Sequence, residues 1–410
     1  MARKTVAEKK VEEAEKLREL SAAMTGLVDP RLDRCRKHGL QDIVILTLCA
    51  VISGAEGWIA VEHYGRMKEK WLRSFLPLPH GIPSHDTIGR VFSALCPDAL
   101  QSCLSALLEG LQLCREEEGG SAAEKAGVIA IDGKCLRRSM DRAKGRSPLH
   151  MLSAFSTESQ VVLGQHAVDS KSNEIKALPW LLNKLDVCGR TVTIDAMGCQ
   201  KAVVAQVCEQ GGDIVVALKD NQATLHDTVK QRFEDARAMR NVATAAVQPL
   251  VGYQCHTMGP EKGHGRIESR CVEVLDAQGG WLHEHHPGWG TIKSVICVTR
   301  TCEQKGTTTH QTRHFISSHL PDNPAMLGAA VRAHWAIENK LHWSLDTAFR
   351  EDDCRVRTDH APENFSLLRK TALALLKADT SVKVGIKNRR LCAAWDPDYL
   401  LHIIGVRPRA

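Results

Sequence analysis

The chain has 410 residues, enough for two or three domains and a large core. Apolar residues make up 43% and charged residues 25%, the balance of an ordinary soluble globular protein, and no uninterrupted apolar run approaches the ~20 residues that cross a bilayer, so no membrane partner is expected. Lys and Arg number 54 against 48 Asp and Glu, a formal charge of +6 that permits a polyanionic partner without demanding one.

Residues 1–20, MARKTVAEKKVEEAEKLREL, read as a mixed-charge helical tail rather than a targeting segment. Residues 21–115 read as a helical domain. QDIVILTLCAVISGAEGW is an apolar helix and VEHYGRMKEKWLRSFL an amphipathic one. In GIPSHDTIGRVFSAL, Pro83 closes a turn, Ser84 is the N-cap, and Ile88, Val91 and Phe92 form an apolar stripe. That short helix fits two roles: a core helix of a bundle, or the second helix of a helix-turn-helix offering His85, Thr87 and Arg90 to DNA. EEEGGSAAEKAG, 116–127, is a polar linker. After it the pattern changes. VIAIDGK, LHMLSAFS and VVLGQHAVD are strands, EIKALPWLLNKL a helix, RTVTIDA a strand, QKAVVAQVCEQG a helix and DIVVALK a strand. This order predicts an α/β fold with a mixed sheet and helices packed on it, over 120–220. From 221 to 319 a charged helix, TLHDTVKQRFEDAR, leads into RIESRCVEVLD, TIKSVICVTRT and TRHFISSH, a mostly β insertion. Helix returns at 323–349 and 363–377, so 320–377 forms the second part of the core. The segment 378–410 reads as a basic tail carrying Lys383, Lys387, Arg389 and Arg390. None of the 15 Cys forms a Cys-x-x-Cys pair, and Cys49 and Cys297 lie in apolar runs, which points to buried reduced thiols in a cytosolic protein rather than a zinc cluster.

Two apolar runs end in an acid beside a small residue: Asp132 before Gly133, and Asp195 before Ala196. Either Asp alone reads as a cap of the turn that follows. Together they suggest a metal site. If the first and fourth strands pair, about 4.8 Å apart, the carboxylates come close, and a cation offsets their repulsion. A third ligand is expected from a helix on the sheet. In HWAIENKLHWSLD, Glu338 lies about 100° from the Ile337, Leu341 and Leu345 stripe, at the edge of the buried face, with Trp335 and Trp343 placed to shield it. His334, Glu338 and His342 also recur every four residues, which leaves a zinc-binding helix as a rival. Asp346, Glu351, Asp352 and Asp353 read as solvated or capping groups.

GIPSHDTIGRVF at 81–92, IAIDGK at 129–134, KSNEI at 171–175, TIDAMGCQ at 193–200, ALKDNQ at 217–222, GHGRIESR at 263–270, HWAIENKLHWSLD at 334–346 and HAPENFSLLRK at 360–370 follow one another in an order that resembles the DDE transposases of bacterial insertion sequences, in the subgroup of H-repeat-associated proteins. The resemblance covers nearly the whole chain. It implies a ribonuclease-H-like core with an Asp-Asp-Glu triad, which falls on Asp132, Asp195 and Glu338. The gap from 195 to 338 is similar to the β insertion of related transposases. Wider relatives carry a Tyr and an Arg before the Glu and a Lys after it; here Val331, His334 and Leu345 stand in those places. The implied chemistry uses two Mg²⁺ ions, with Mn²⁺ as a substitute, to cleave the ends of the element at its terminal inverted repeats and join the 3′-OH to target DNA. The implied partners are double-stranded DNA, both transposon ends and target, and a second copy of the chain when assembled on DNA, in a bacterial cytoplasm at the nucleoid. The helical domain at 21–115 would then bind DNA. Lys134, Lys171, Lys219, Gln222 and Arg266 become candidate phosphate contacts, although each reads equally as a solvated surface group. A host metal-dependent nuclease on the same fold, or a domesticated DNA-binding protein, is the alternative.

Overall fold

Alternation along the central strands gives the sheet two apolar faces, and this decides where the acids point. The computed structural model describes residues 24, 26–111, 127–141, 145–168, 174–242, 252–263, 265–278 and 280–406; the expected tail at 1–20, most of the linker at 116–127, and Lys171 lie outside them. In chain order the helices are α1 (Leu40–Ile52), α2 (Trp58–Leu72), α3 (His85–Ala94), α4 (Pro97–Gly110), α5 (Glu174–Leu182), α6 (Lys201–Glu209), α7 (Ala223–Val242), α8 (Trp281–His285), α9 (Pro324–Ala336), α10 (Trp343–Phe349), α11 (Ala361–Ala378), α12 (Ile386–Trp395) and α13 (Pro397–Ile403). The strands are β1 (Val128–Leu136), β2 (Leu149–Ser156), β3 (Val162–Val168), β4 (Thr191–Ile194), β5 (Asp213–Leu218), β6 (Tyr253–Gly263), β7 (Arg266–Asp276), β8 (Ser294–Gln304) and β9 (Thr307–Ser317).

They form one sheet in the order β3-β2-β1-β4-β5-β9-β8-β7-β6. β1, β4 and β5 are parallel neighbours, and every other pairing is antiparallel. The expected pairing of the first and fourth strands is present, with Ile131 opposite Ile194 as its last pair. Successive side chains point to opposite faces. Ile129, Ile131, Val192 and Ile194 join a core with Leu178, Leu181 and Leu182 of α5, Val203 and Val207 of α6 and Phe233 of α7. On the other face Val215, Val272, Ile296 and Phe315 pack against Leu327 and Ala330 of α9.

The strands from 253 to 317 continue this sheet, since β9 pairs directly with β5 through Val215–Leu218. β6 had no clear sequence signal. It is an edge strand interrupted by Gly259 and Pro260, where its register with β7 shifts, and an edge is the one place a sheet tolerates proline.

The helices before and after the sheet share one core. Leu46, Val51 and Phe92 cluster with Leu345, Phe365, Leu368 and Leu375. α1 is buried on every side, which explains why its sequence is apolar throughout instead of striped. The segment expected as a basic tail folds instead into α12 and α13. Its arginines serve structure: Arg389 donates to the carbonyls of Leu376, in the last turn of α11, at 2.7 Å and of Val382, in the connection to α12, at 3.0 Å, and Arg390 donates to Val51, in the last turn of α1, at 2.8 Å. Cys49 and Cys297 are buried as expected, whereas Cys35, Cys96, Cys188 and Cys255 are exposed. Among the described residues no single helix is long and apolar enough to cross a membrane.

Candidate active site

Strand alternation assigns Asp132 and Asp195 to the same face. Ile131 and Ile194 point to the α5–α6 side, so the next residue on each strand points to the α9 side, at adjacent positions just past the last β1–β4 pair. The reading of Asp132 as a strand end needs correction. β1 runs on to Leu136, because β2 keeps pairing with it, and Asp132 lies opposite Ser153. It is β4 that stops, at Ile194, and its departure opens the space beside Asp132. Asp195 caps the turn that follows, accepting from the Met197 N–H at 3.0 Å, and Asp132 accepts from the Gly133 N–H at 2.9 Å. Each carboxylate thus spends Oδ1 on the backbone, so the capping role and the site role coexist.

Glu338 arrives on the chain segment after α9. Gly328 lets α9 lie close on β7: a Cβ there would sit 2.7 Å from Val272 Cγ2. After Ala336 the helix widens into a π-helical stretch, Ile337–His342, a feature that recurs at functional sites. Ile337 and Leu341 are buried while Glu338 is exposed. The expected shielding by tryptophans is absent, since Trp335 is 41% and Trp343 65% exposed. Asp132, Asp195 and Glu338 line one cavity of about 1270 Å³.

The electrostatics bind them together. The Asp132 carboxyl is pushed up to about 7, first by burial and then by the charges of Asp195, Glu338 and Glu174. Glu174, buried at the start of α5, was not singled out as a site residue. It packs against Gly133, where a Cβ would lie 2.5 Å from its Oε1, and His150 Nδ1 lies 3.4 Å from that oxygen. An all-oxygen set of carboxylates around one cavity is the donor chemistry that suits Mg²⁺. Among the described residues no three His, Cys, Asp or Glu side chains close on a single point at ligand distances; the carboxylates ring the cavity instead.

The two histidines of the zinc alternative part company. His334 Nδ1 is 3.2 Å from Thr193 Oγ1 on β4, and His342 Nδ1 is 3.6 Å from Asp132 Oδ2. The π-helical turn breaks the four-residue stacking that put them on one line with Glu338. Burial lowers the basicity of both, His342 to about 3, so both imidazoles are neutral.

The candidate DNA contacts divide. Lys219 and Arg266 line the cavity, Arg266 with its Nε 2.6 Å from Glu268. Lys134 is turned inward instead. Its ammonium, on a side chain only 11% exposed, donates to Asp346 and, at 2.9 Å, to Glu351. Glu351 is buried and also accepts from Ser366 at 3.0 Å. The reading of Asp346 and Glu351 as solvated groups is corrected with it; nothing local in the sequence reveals that a lysine from β1 reaches them. Gln222 spends its amide on the Cys199 carbonyl at 2.9 Å and so braces the turn after Asp195. On α3, Ser84 is the N-cap as expected, and Thr87 turns back to it, its Oγ1 3.1 Å from Ser84 Oγ. His85 is held by Glu62, Nδ1 to Oε2 at 2.6 Å. His85 and Arg90 line a second groove, away from the carboxylates, and Arg90 is exposed there. Ile88, Val91 and Phe92 are buried, so α3 is a core helix with one polar face.

Comparison with known proteins gives the arrangement a family. Residues 22–108 match the model of the DDE_Tnp_1-associated region, and residues 123–375 match the model of the transposase DDE domain. The chain is 37% identical over 371 residues to the "H repeat-associated putative transposase YhhI" of Escherichia coli strain K12, covering 90% of this chain and 93% of that one. It is 42% identical over 295 residues to an uncharacterized protein in the dhlA 3′ region of Xanthobacter autotrophicus, covering 72% and 92%. With a domain match spanning both aspartates and the glutamate, and a relative aligned over nine-tenths of its length, this chain belongs to the DDE transposase family.

Proposed function

We propose that the protein is the transposase of its own insertion sequence, binding the terminal inverted repeats, cleaving the DNA there and joining the freed 3′-OH to target DNA. The observation that carries this is the gathering of Asp132, Asp195 and Glu338 around one cavity, where burial and the other two acids raise the Asp132 carboxyl, in a chain of the DDE family. The part of the sheet from β1 to β5, with parallel β1-β4-β5 at its centre, supports a ribonuclease-H-like core. When bound, Mg²⁺ or Mn²⁺ supplies activation of the attacking oxygen and neutralisation of the leaving one. Asp132 and Asp195 hold their oxygens on two adjacent strands whose register is set by the ladder, and Glu338 faces them from a segment with its own packing. In the cleavage step a water oxygen forms a bond to phosphorus and the P–O3′ bond breaks, or, in joining, the 3′-OH oxygen attacks and the target's own P–O3′ bond breaks. Lys219 and Arg266 line the same cavity, which supports them as contacts to the substrate backbone. Two copies acting at two ends, in the bacterial cytoplasm at the nucleoid, fit the same reading.

The test uses a duplex ending in the inverted repeat that flanks the gene, incubated with full-length protein and Mg²⁺. Asp132→Asn, Asp195→Asn and Glu338→Gln are each expected to cut cleavage by on the order of 10³-fold, the scale of losing one preorganised electrostatic contact, while binding of the duplex persists. Cleavage at the wild-type rate in any of the three removes that residue from the triad.

A further inference from the structure

Beyond β5 the sheet carries an arginine cluster that the carboxylate chemistry does not use. Arg266 and Arg270 flank Glu268 at two-residue spacing, so all three share one face of β7, and Arg300 on β8 stands opposite Arg270. The three guanidiniums converge on the one Glu268 carboxylate: Arg266 Nε lies 2.6 Å from Oε1, Arg270 Nη2 donates to Oε2 at 2.7 Å, and Arg300 donates to Oε1. The Glu268 side chain is 9% exposed and its carboxyl is held down at about 2, chiefly by the Arg300 hydrogen bond. Arg332 of α9 is held in the same way by Glu261 of β6, Nη2 to Oε2 at 2.6 Å. Four arginines share two carboxylates. Arg313 on β9, 5.2 Å from the Trp335 ring, and the exposed Lys262 on β6 add charge that no carboxylate among the described residues pairs. Every one of these side chains lines the cavity that holds Asp132, Asp195 and Glu338.

An uncompensated positive array repels itself, and braces that fix it in place make sense when an anion completes it. A guanidinium held along one edge keeps N–H donors on its others, in the fork that fits a phosphate. The array is too long for a single small anion, since Arg266 to Arg270 alone spans about 13 Å of strand. We infer that this arginine face is a sequence-independent seat for the phosphodiester backbone of the DNA strand led into the carboxylate cavity. The inference rests on the transposase reading and adds where, and by what chemistry, the substrate is held. Contacts to phosphates carry no base information, so the seat treats all duplexes alike.

The test measures binding of full-length protein to two unrelated random-sequence duplexes by fluorescence anisotropy across a KCl series. The double variant Arg313→Gln with Lys262→Gln leaves both glutamates braced. It is expected to keep the wild-type melting temperature, to bind both duplexes about tenfold more weakly at low salt, and to flatten the log K against log salt slope by about 2. A second measurement needs no variant: phenylglyoxal modification of the wild-type protein, read by peptide mass spectrometry, with Arg313 and Arg332 protected when duplex is bound. Wild-type affinity and slope in the double variant, or arginines that stay reactive under duplex, overturn the seat while leaving the transposase reading intact. Wild-type protein that binds neither duplex at any salt also overturns the seat, whereas the transposase reading falls only if the duplex ending in the inverted repeat is neither bound nor cleaved.

Discussion

Asp132 and Lys134 lie two residues apart on the same face of β1, and the protein treats them in opposite ways. Around Asp132 the charged neighbours are acids, the nearby His342 being neutral, and burial together with those acids pushes its carboxyl up to about 7. Around Lys134 the neighbours are also acids, Asp346 and Glu351, but here they have a buried cation to meet, and Glu351 is held down at about 2 by Lys134, Arg369 and Lys370 against the penalty of its burial. One cluster is neutralised within the fold and belongs to its stability. The other is left uncompensated at the wall of a cavity, and it is the cluster to which we assign the chemistry. A high local density of charge does not by itself mark a site; the unbalanced cluster does.

Breaking the balanced cluster has the largest expected effect on stability. Lys134→Met leaves Asp346 without its cation and Glu351 with only Arg369 and Lys370, and the expected cost is about 3 kcal/mol, the low end of the range for removing one partner of a buried pair. Chemical denaturation of the purified variant measures it; a loss below about 1 kcal/mol would show the pair to be no stronger than an exposed one.

The acid side of the stability profile separates the clusters next. Glu351 is depressed from the ordinary carboxylate range, so its contribution is present above about pH 4.5 and fades as pH falls toward 2. Wild type is expected to lose on the order of 3 kcal/mol across that window, an upper figure for one group shifted this far, and Glu351→Gln to lose correspondingly less. Parallel curves for the two proteins would contradict the assignment. Asp132 works in the other direction. Its folded carboxyl holds a proton more tightly than the unfolded one, so ionising it costs stability as pH rises from about 4 through 7. In metal-free buffer at pH 8, Asp132→Asn is therefore expected to melt a few degrees above wild type, with the gap closing when Mg²⁺ is added. A variant that melts below wild type under both conditions would mean the carboxylate is structural.

The smallest effect is expected from the histidines. Neither neutral imidazole is in the oxygen set, and imidazole is a poor ligand for Mg²⁺, so His334→Ala and His342→Ala should each reduce cleavage by roughly tenfold, as groups that orient a neighbour do. Losses as deep as that of Glu338→Gln, with stoichiometric zinc in the purified protein that both variants lose, would restore the zinc alternative.

The apolar runs ending at Asp132 and Asp195 were legible because strand register follows from local pattern. Residues that alternate in and out fix which face each Asp takes, and two parallel strands in register bring the acids side by side. The motifs also carried the family. Glu338 was legible as the edge of a helical stripe, although the π-helical stretch that exposes it was not, since a widened turn reflects how α9 and α10 are each anchored and leaves no local signature.

The sequence by itself determined most of the elements, the two aspartates on their strands and a mild basic charge that permits a polyanionic partner, because these rest on periodicities of two to four residues and on composition. Only the tertiary structure decided the rest. It joined the β insertion to the central sheet through β5 and β9, turned the basic tail into helices whose arginines cap carbonyls, and sorted the lysines and arginines into structure and surface. Lys134 meets Glu351 across 217 residues of chain, and Arg300 meets Glu268 across 32. Whether a charge is neutralised or left to act depends on partners that distant, and packing, which no local pattern encodes, chooses them.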